Sequence, residues 1–178
     1  MPLGEPEKMP DVWMAEKTAG QWGRPVRLGP PVSTDDPADI EAHPAFLPDG
    51  GIYLMRQNGK TRRLFQATRR SDGFAEPVAI PLMEDLLASQ FSGPCLSPDG
   101  RTLLMHSRKE GGFGNWDLYV SFKDESGNWS EFKNLGPAVN TDKQESSPTF
   151  SSDGRSIFFT RDGDIYLVSA TILDGLRH

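Results

Sequence analysis

The chain has 178 residues, of which 36% are hydrophobic and 25% charged, the composition of a globular protein rather than a disordered or membrane-embedded one. Its net charge of −6 and pI near 5.1 argue against a nucleic-acid partner, because that affinity rests on clustered Lys and Arg that displace counterions. No apolar run approaches the ~18 residues that predict a membrane-spanning helix, and the opening MPLGEPEKMPDVW lacks the apolar core of a secretory signal.

In chain order, the first predicted strand is DVWMAEK, from Asp11, followed by GQWGRPVRLGPPVST. Next come HPAF with Pro44, a Pro-Asp-Gly turn at Asp49, the strand GIYLMRQ, the strand RRLFQAT from Arg62, and DGFAEPVAIPL. The basic stretch Thr61–Arg70 is interrupted by apolar residues and reads as a solvated strand face. Over Pro81–Phe91, Leu82, Leu86 and Leu87 follow a Pro at helical spacing and predict a short helical turn. GPCL with Pro94 and a turn at Asp99 lead to RTLLMHS, DLYVSFK from Asp117 and GNWSEFKNLGPAVNT. SPTF with Pro148 and a turn at Asp153 lead to RSIFFTR and DIYLVSA from Asp164. Cys95, the only cysteine, rules out an internal disulfide and leaves the compartment open.

The turn aspartates recur about every fifty residues, near the ~40–50 of one propeller blade. Each repeat reads as four short strands, the first two joined by a turn in which Pro presets φ, Asp bonds its own backbone and Gly accepts positive φ. The linked pattern SPDG, DLYVS and GNWSEFKNLGPAVNT closely resembles the repeat of the TolB-like, or WD-like, bacterial β-propellers, from Asp11 to Leu173. That resemblance implies an all-β fold: a β-propeller of four-stranded antiparallel blades. It also implies a periplasmic, protein-binding role in the cell envelope, which would need a signal sequence upstream. The second repeat departs from the pattern at Arg63-Leu64-Phe65 and Ile80-Pro81.

We expect one domain over 1–178, with a half blade at 11–32, blades at 43–82 and 93–139, and an incomplete blade at 147–173. These amount to about thirteen strands, roughly half of a six-bladed ring, and so to a partial ring of about three to four blades. Open edges of such a ring invite self-association, so the expected partner is a protein or a second copy of the chain.

Candidate ligand groups lie in the connections between repeats. Asp35 and Glu41 in STDDPADIEAHP match Asp142 and Glu145 in NTDKQESSP, and the third connection offers Glu84, Asp85 and Gln90. The functional reading is an acidic rim for a cation, sugar or basic peptide. The structural alternative has each carboxylate fixing its own loop through backbone N–H groups. Asp11, Asp117 and Asp164 read as anchors of the turn before the third strand. Trp22, Trp129 and Phe74 read as packing between sheets, whereas Phe113 and Trp116 flank the Gly-rich loop RKEGGFGNWD and face a partner.

The chain has no G-x-S-x-G nucleophile elbow, and His43, His106 and His178 have no metal-ligand spacing. No catalytic residue, metal site or cofactor is expected. The leading functional expectation is a non-catalytic interaction module; the alternative is a carbohydrate-active or sugar-binding propeller with an acidic channel mouth.

Overall fold

The computed structural model describes residues 11–81 and 90–177. Most of the helical turn expected over Pro81–Phe91, together with Glu84 and Asp85, lies outside them, as does His178. The chain is all-β and divides into two compact units, Met1–Pro44 with Asp49–Ile80 and Ala45–Pro48 with Pro81–His178.

In the first unit, β1 (Trp13–Met14), β2 (Lys17–Thr18), β3 (Gln21–Trp22) and β4 (Val26–Arg27) form two short antiparallel pairs, β1 with β4 and β2 with β3. A four-stranded sheet follows, built from β5 (Asp39–Phe46), β6 (Ile52–Asn58), β7 (Thr61–Ala67) and β10 (Val78–Ala79) in the order β10-β7-β6-β5. The hairpin of β8 (Arg69–Arg70) and β9 (Gly73–Phe74) extends from it. Val12, Val32, Ile52, Leu54 and Ala67 form this unit's core.

In the second unit, β11 (Phe91–Leu96), β12 (Thr102–Ser107), β13 (Asp117–Phe122) and β14 (Lys133–Asn134) form a four-stranded antiparallel meander. Then β15 (Glu145–Phe150), β16 (Ser156–Arg161) and β17 (Asp164–Ser169) form a three-stranded one, closed by a 3-10 helix over Ala170–Leu176. Leu104, Leu118, Val120, Leu135, Val139, Ile157, Phe159 and Leu173 are buried together. Burying such a row of aliphatic side chains is the main term that holds sheets of this size together.

The repeated turns have a common geometry. The carboxylate of Asp49 accepts the N–H of Gly51 at 2.9 Å, and those of Asp99 and Asp153 accept the N–H groups of Arg101 and Arg155 at 3.0 Å. Gly50, Gly100 and Gly154 follow with φ of 82°, 68° and 70°, a region that a side chain disfavours. The recurring prolines of the first strand also have a physical reason. The residue before each one, His43, Gly93 and Ser147, has φ of 53°, 60° and 52°, and the β11–β12 and β15–β16 registers shift there. A bulge leaves one backbone N–H unpaired, and Pro has none to lose.

One expectation about aromatic side chains is corrected. Trp22 does not pack between sheets; it is 69% exposed, with the ammonium of its cross-strand partner Lys17 5.6 Å from its ring. Trp129 likewise faces Lys123 across an isolated bridge, and Phe74 faces Arg69. An aromatic at the hairpin tip thus takes a cation on its face, although Phe74 also packs against the first unit's core.

The loop that follows β14 is tied down by polar side chains. Asn140, buried, accepts the N–H of Leu118 at 2.8 Å through its carbonyl and donates to the carbonyl of Leu118 at 2.9 Å and to Asn134 at 2.7 Å. Asn140 therefore stands where a further strand would. Asn140→Ala leaves both backbone groups of Leu118 buried without that partner, and should lower unfolding free energy by about 1–3 kcal/mol in urea titration. Asn128→Ala, on an exposed turn, should stay within about 0.5 kcal/mol of the parent.

Candidate functional site

Glu41 and Glu145 lie near the start of equivalent first strands, and both side chains are fully buried. Charge at such depth persists only when it is paired and hydrogen-bonded. For Glu145 the pairing is complete: Arg161 donates from Nε to Oε1 at 2.6 Å, the Thr141 hydroxyl donates to Oε1 at 2.7 Å, and the Thr141 N–H donates to Oε2 at 3.1 Å. Arg161 also donates to the carbonyl of Val139 at 2.6 Å. The carboxylate and guanidinium therefore fasten the preceding connection to the sheet.

Glu41 repeats the arrangement with one contact missing. Arg56 donates to its Oε1 at 3.0 Å and to the carbonyls of Pro31 and Val32, and the Thr34 N–H donates to the same oxygen at 3.3 Å. The Thr34 hydroxyl, however, turns to Asp39 at 2.7 Å. The cause is in the chain: Glu41 comes seven positions after Thr34, whereas Glu145 comes four after Thr141. Glu41 Oε2 is left buried without a hydrogen-bond partner among the described residues. Burial pushes the Glu41 pKa up, against the opposing pull of the Thr34 N–H and of Arg56. Asp39, by contrast, is held below the usual carboxylate range by the Thr34 hydroxyl, with help from Asn58 and Arg56 outweighing its partial burial. In the middle repeat, Phe91 stands opposite Ser107 where Glu145 stands opposite Arg161.

The other acids are placed differently. Asp35 is exposed and accepts from Arg27 at 3.3 Å, while Arg27 binds the shielded Asp11 at 2.5 Å. Asp142 and Asp164 are exposed. Asp117 does anchor its turn, accepting the N–H groups of Phe113 at 2.6 Å and Gly114 at 3.0 Å and the Asn134 amide at 2.8 Å. Any Cβ on Gly112 would strike the Asp117 carboxylate, and one on Gly114 would strike the Lys143 and Thr141 carbonyls. The Gly-rich loop is therefore folded tightly over this carboxylate.

Gln90 and Trp116 share one patch of the second unit with two residues that sequence reasoning missed, and Phe113 is exposed on the clamped loop. The Arg108 guanidinium lies 4.4 Å from the Trp116 ring centre, and the His106 ring meets the Trp116 ring edge-on at 4.9 Å. Arg108 donates to the Gln90 side chain at 3.2 Å, and the Ser147 N–H donates to His106 Nδ1 at 3.2 Å. Phe113 is 48% exposed. The available signal was the two-residue spacing of His106 and Arg108, which directs both to one face of a strand. A separate groove of about 220 Å³ is lined by Asp99, Asp153, Phe150, Leu173 and Arg177. Among the described residues, no group of three or more His, Cys, Asp or Glu is placed to hold a metal ion, and no helix is long and apolar enough to cross a membrane.

No protein-family model matches the chain, and no curated protein matches it. Solved structures do. The crystal structure of a puromycin hydrolase mutant complexed with PGG is 21% identical over 91% of this chain and 26% of its own, with a TM-score of 0.56. A further puromycin hydrolase structure is 20% identical with a TM-score of 0.49, and one of two prolyl endopeptidases is 13% identical with a TM-score of 0.48. The chain thus spans about a quarter of these proteins, whose family contains a β-propeller domain. The likeness concerns the fold. It nevertheless overturns the expectation of a non-catalytic envelope scaffold, because the structural neighbour at a TM-score of 0.56 is a hydrolase. Nothing supports the carbohydrate-active alternative, and no family model supports the TolB-like assignment.

The two buried glutamates should separate under mutation. Glu145→Gln leaves Arg161 without its charge partner and should cost about 3 kcal/mol of stability; Glu41→Gln should cost less. The pH dependence follows from the sign of the Glu41 shift. With the folded pKa above the ordinary 4.5, the native state binds more protons than the unfolded state just above that pH, so stability falls as pH rises through the window. Thermal unfolding between pH 4.5 and neutrality should therefore show the parent losing ground to Glu41→Gln as pH increases. A constant difference would place the folded pKa at its ordinary value.

Proposed function

We propose that this chain forms blades of the β-propeller of a hydrolase of the peptidase kind, a partial ring whose catalytic nucleophile resides outside these 178 residues. The observation that carries this reading is the puromycin hydrolase likeness, which takes in 91% of this chain but 26% of that one, at a TM-score of 0.56. The sequence agrees in having no nucleophile elbow. Within this reading, the patch of Gln90, Arg108, Phe113 and Trp116 is a surface for peptide. A stacked guanidinium offers donors to backbone carbonyls, and an exposed aromatic held on a clamped loop offers apolar area at little entropic cost.

The test recovers the native polypeptide with an antibody raised against this chain and treats it with a fluorophosphonate, which labels activated serine nucleophiles. The expected result is a labelled polypeptide several times larger than 19.7 kDa that cleaves an aminoacyl-coumarin amide, with slower cleavage in an Arg108→Gln, Phe113→Ala variant. A native polypeptide of 19.7 kDa, with no labelled hydrolase attached, would overturn the proposal.

A further inference from the structure

The groove of about 220 Å³ in the second unit is lined by the turns at Asp99 and Asp153 and by the 3-10 helix. Each turn commits only one oxygen of its carboxylate. Oδ1 of Asp99 accepts the Ser97 hydroxyl and the Arg101 N–H, and Oδ1 of Asp153 accepts the Ser151 hydroxyl and the Arg155 N–H. Among the described residues, Oδ2 of each makes no hydrogen bond to another residue. Partial burial pushes the Asp99 pKa up, but the Ser97 hydroxyl, the Arg101 N–H and the charge of Arg177 outweigh it and hold the group below the usual carboxylate range. Asp153 is held below that range by the Ser151 hydroxyl and the Arg155 N–H. Both groups are therefore ionised at neutral pH.

A buried hydroxyl points to the same groove independently. Thr102, which opens β12, lines it and is only 2% exposed. Its N–H donates to the Ser97 hydroxyl at 2.9 Å and its carbonyl accepts the Ser97 N–H at 2.9 Å, yet its own hydroxyl makes no hydrogen bond among the described residues. Alternation along β12 turns Thr102 to the same side as Leu104, which shares a core with Leu173 of the 3-10 helix. The hydroxyl is thus aimed at the groove, and burial without a partner costs free energy that an occupant can recover.

The remaining walls set the occupant's chemistry. Phe150 and Leu173 supply apolar surface, and Arg177, its guanidinium 4.6 Å from the Phe122 ring and 4.0 Å from Asp174, supplies positive charge. A cavity of ~150 Å³ holds benzene, so this one has room for about nine non-hydrogen atoms.

We propose that the groove binds a small zwitterion, a free aliphatic α-amino acid of about leucine's size. Its ammonium donates to Oδ2 of Asp99 and Asp153, its carboxylate accepts from Arg177 and the Thr102 hydroxyl, and its side chain rests on Phe150 and Leu173. Charge-assisted hydrogen bonds at both ends fix its orientation. The inference stands on this groove alone and does not depend on the hydrolase reading.

The probe is L-leucine, titrated into the isotope-labelled full chain while amide chemical shifts are followed. Saturable shifts are expected at Thr102, Asp153 and Leu173. Binding should weaken by roughly tenfold or more for 3-methylbutylamine and for 4-methylpentanoate, each of which lacks one of the two charges. Asp153→Asn keeps an oxygen for the turn and should weaken leucine binding by a similar factor. Thr102→Val keeps the shape and removes the hydroxyl; it should weaken leucine binding while melting with the parent or above it, since no bond within the fold is lost. The absence of saturable shifts into the millimolar range would overturn the proposal. So would the amine binding as tightly as leucine, or a Thr102→Val variant that binds leucine as the parent does or melts below it.

Discussion

A guanidinium that reaches carbonyl groups of the preceding connection while gripping a buried carboxylate is the constraint on which two of the sheets depend. Arg56 holds Pro31, Val32 and Glu41, and Arg161 holds Val139 and Glu145. Through these contacts the connection is fixed, Val32 and Val139 are pressed into their cores, and Ser33 and Asn140 are brought to the third strand. The first strand, the second strand, the loop before them and the third strand of the previous repeat are thereby one mechanical unit. In the middle repeat Phe91 and Ser107 occupy the paired positions.

The parts legible in sequence were those governed by local chemistry. Pro-Asp-Gly and Ser-Asp-Gly announce their turns because Asp, Gly and Pro each have a distinct backbone role within four residues. The strands announced themselves by their β-branched and aromatic content, and the short fourth strands by the recurrence of Leu-Gly after Trp. The arginine partners were hidden because the first turn is one residue shorter than the others. Ile52, pairing with Ala67, corresponds to Leu103, pairing with Ser121, so Arg56 and Arg161 fall out of line when the strands are matched from their aspartates. Trp22 misled for a different reason: recurrence signals a common place in the fold, and here that place is a hairpin tip facing solvent and a lysine.

The candidate site was legible residue by residue and illegible as an arrangement. Glu41 and Glu145 were identified as equivalent from spacing alone, yet their unequal satisfaction depends on which way the Thr34 hydroxyl turns. Gln90, Phe113 and Trp116 were chosen separately, from a connection and from a loop. What joins them is Arg108, whose guanidinium touches both Gln90 and the Trp116 ring, and the carboxylate of Asp117, which draws the Gly-rich loop over itself.

The buried carboxylate and guanidinium pairs carry a thermal consequence. Hydration of separated charges becomes less favourable as temperature rises, so the desolvation penalty of such a pair shrinks on heating while the gain from apolar burial levels off. Junctions built on Glu41 with Arg56 and on Glu145 with Arg161 are therefore at their weakest relative to the apolar cores in the cold. The two ion pairs therefore count for more of each unit's stability at high temperature than in the cold.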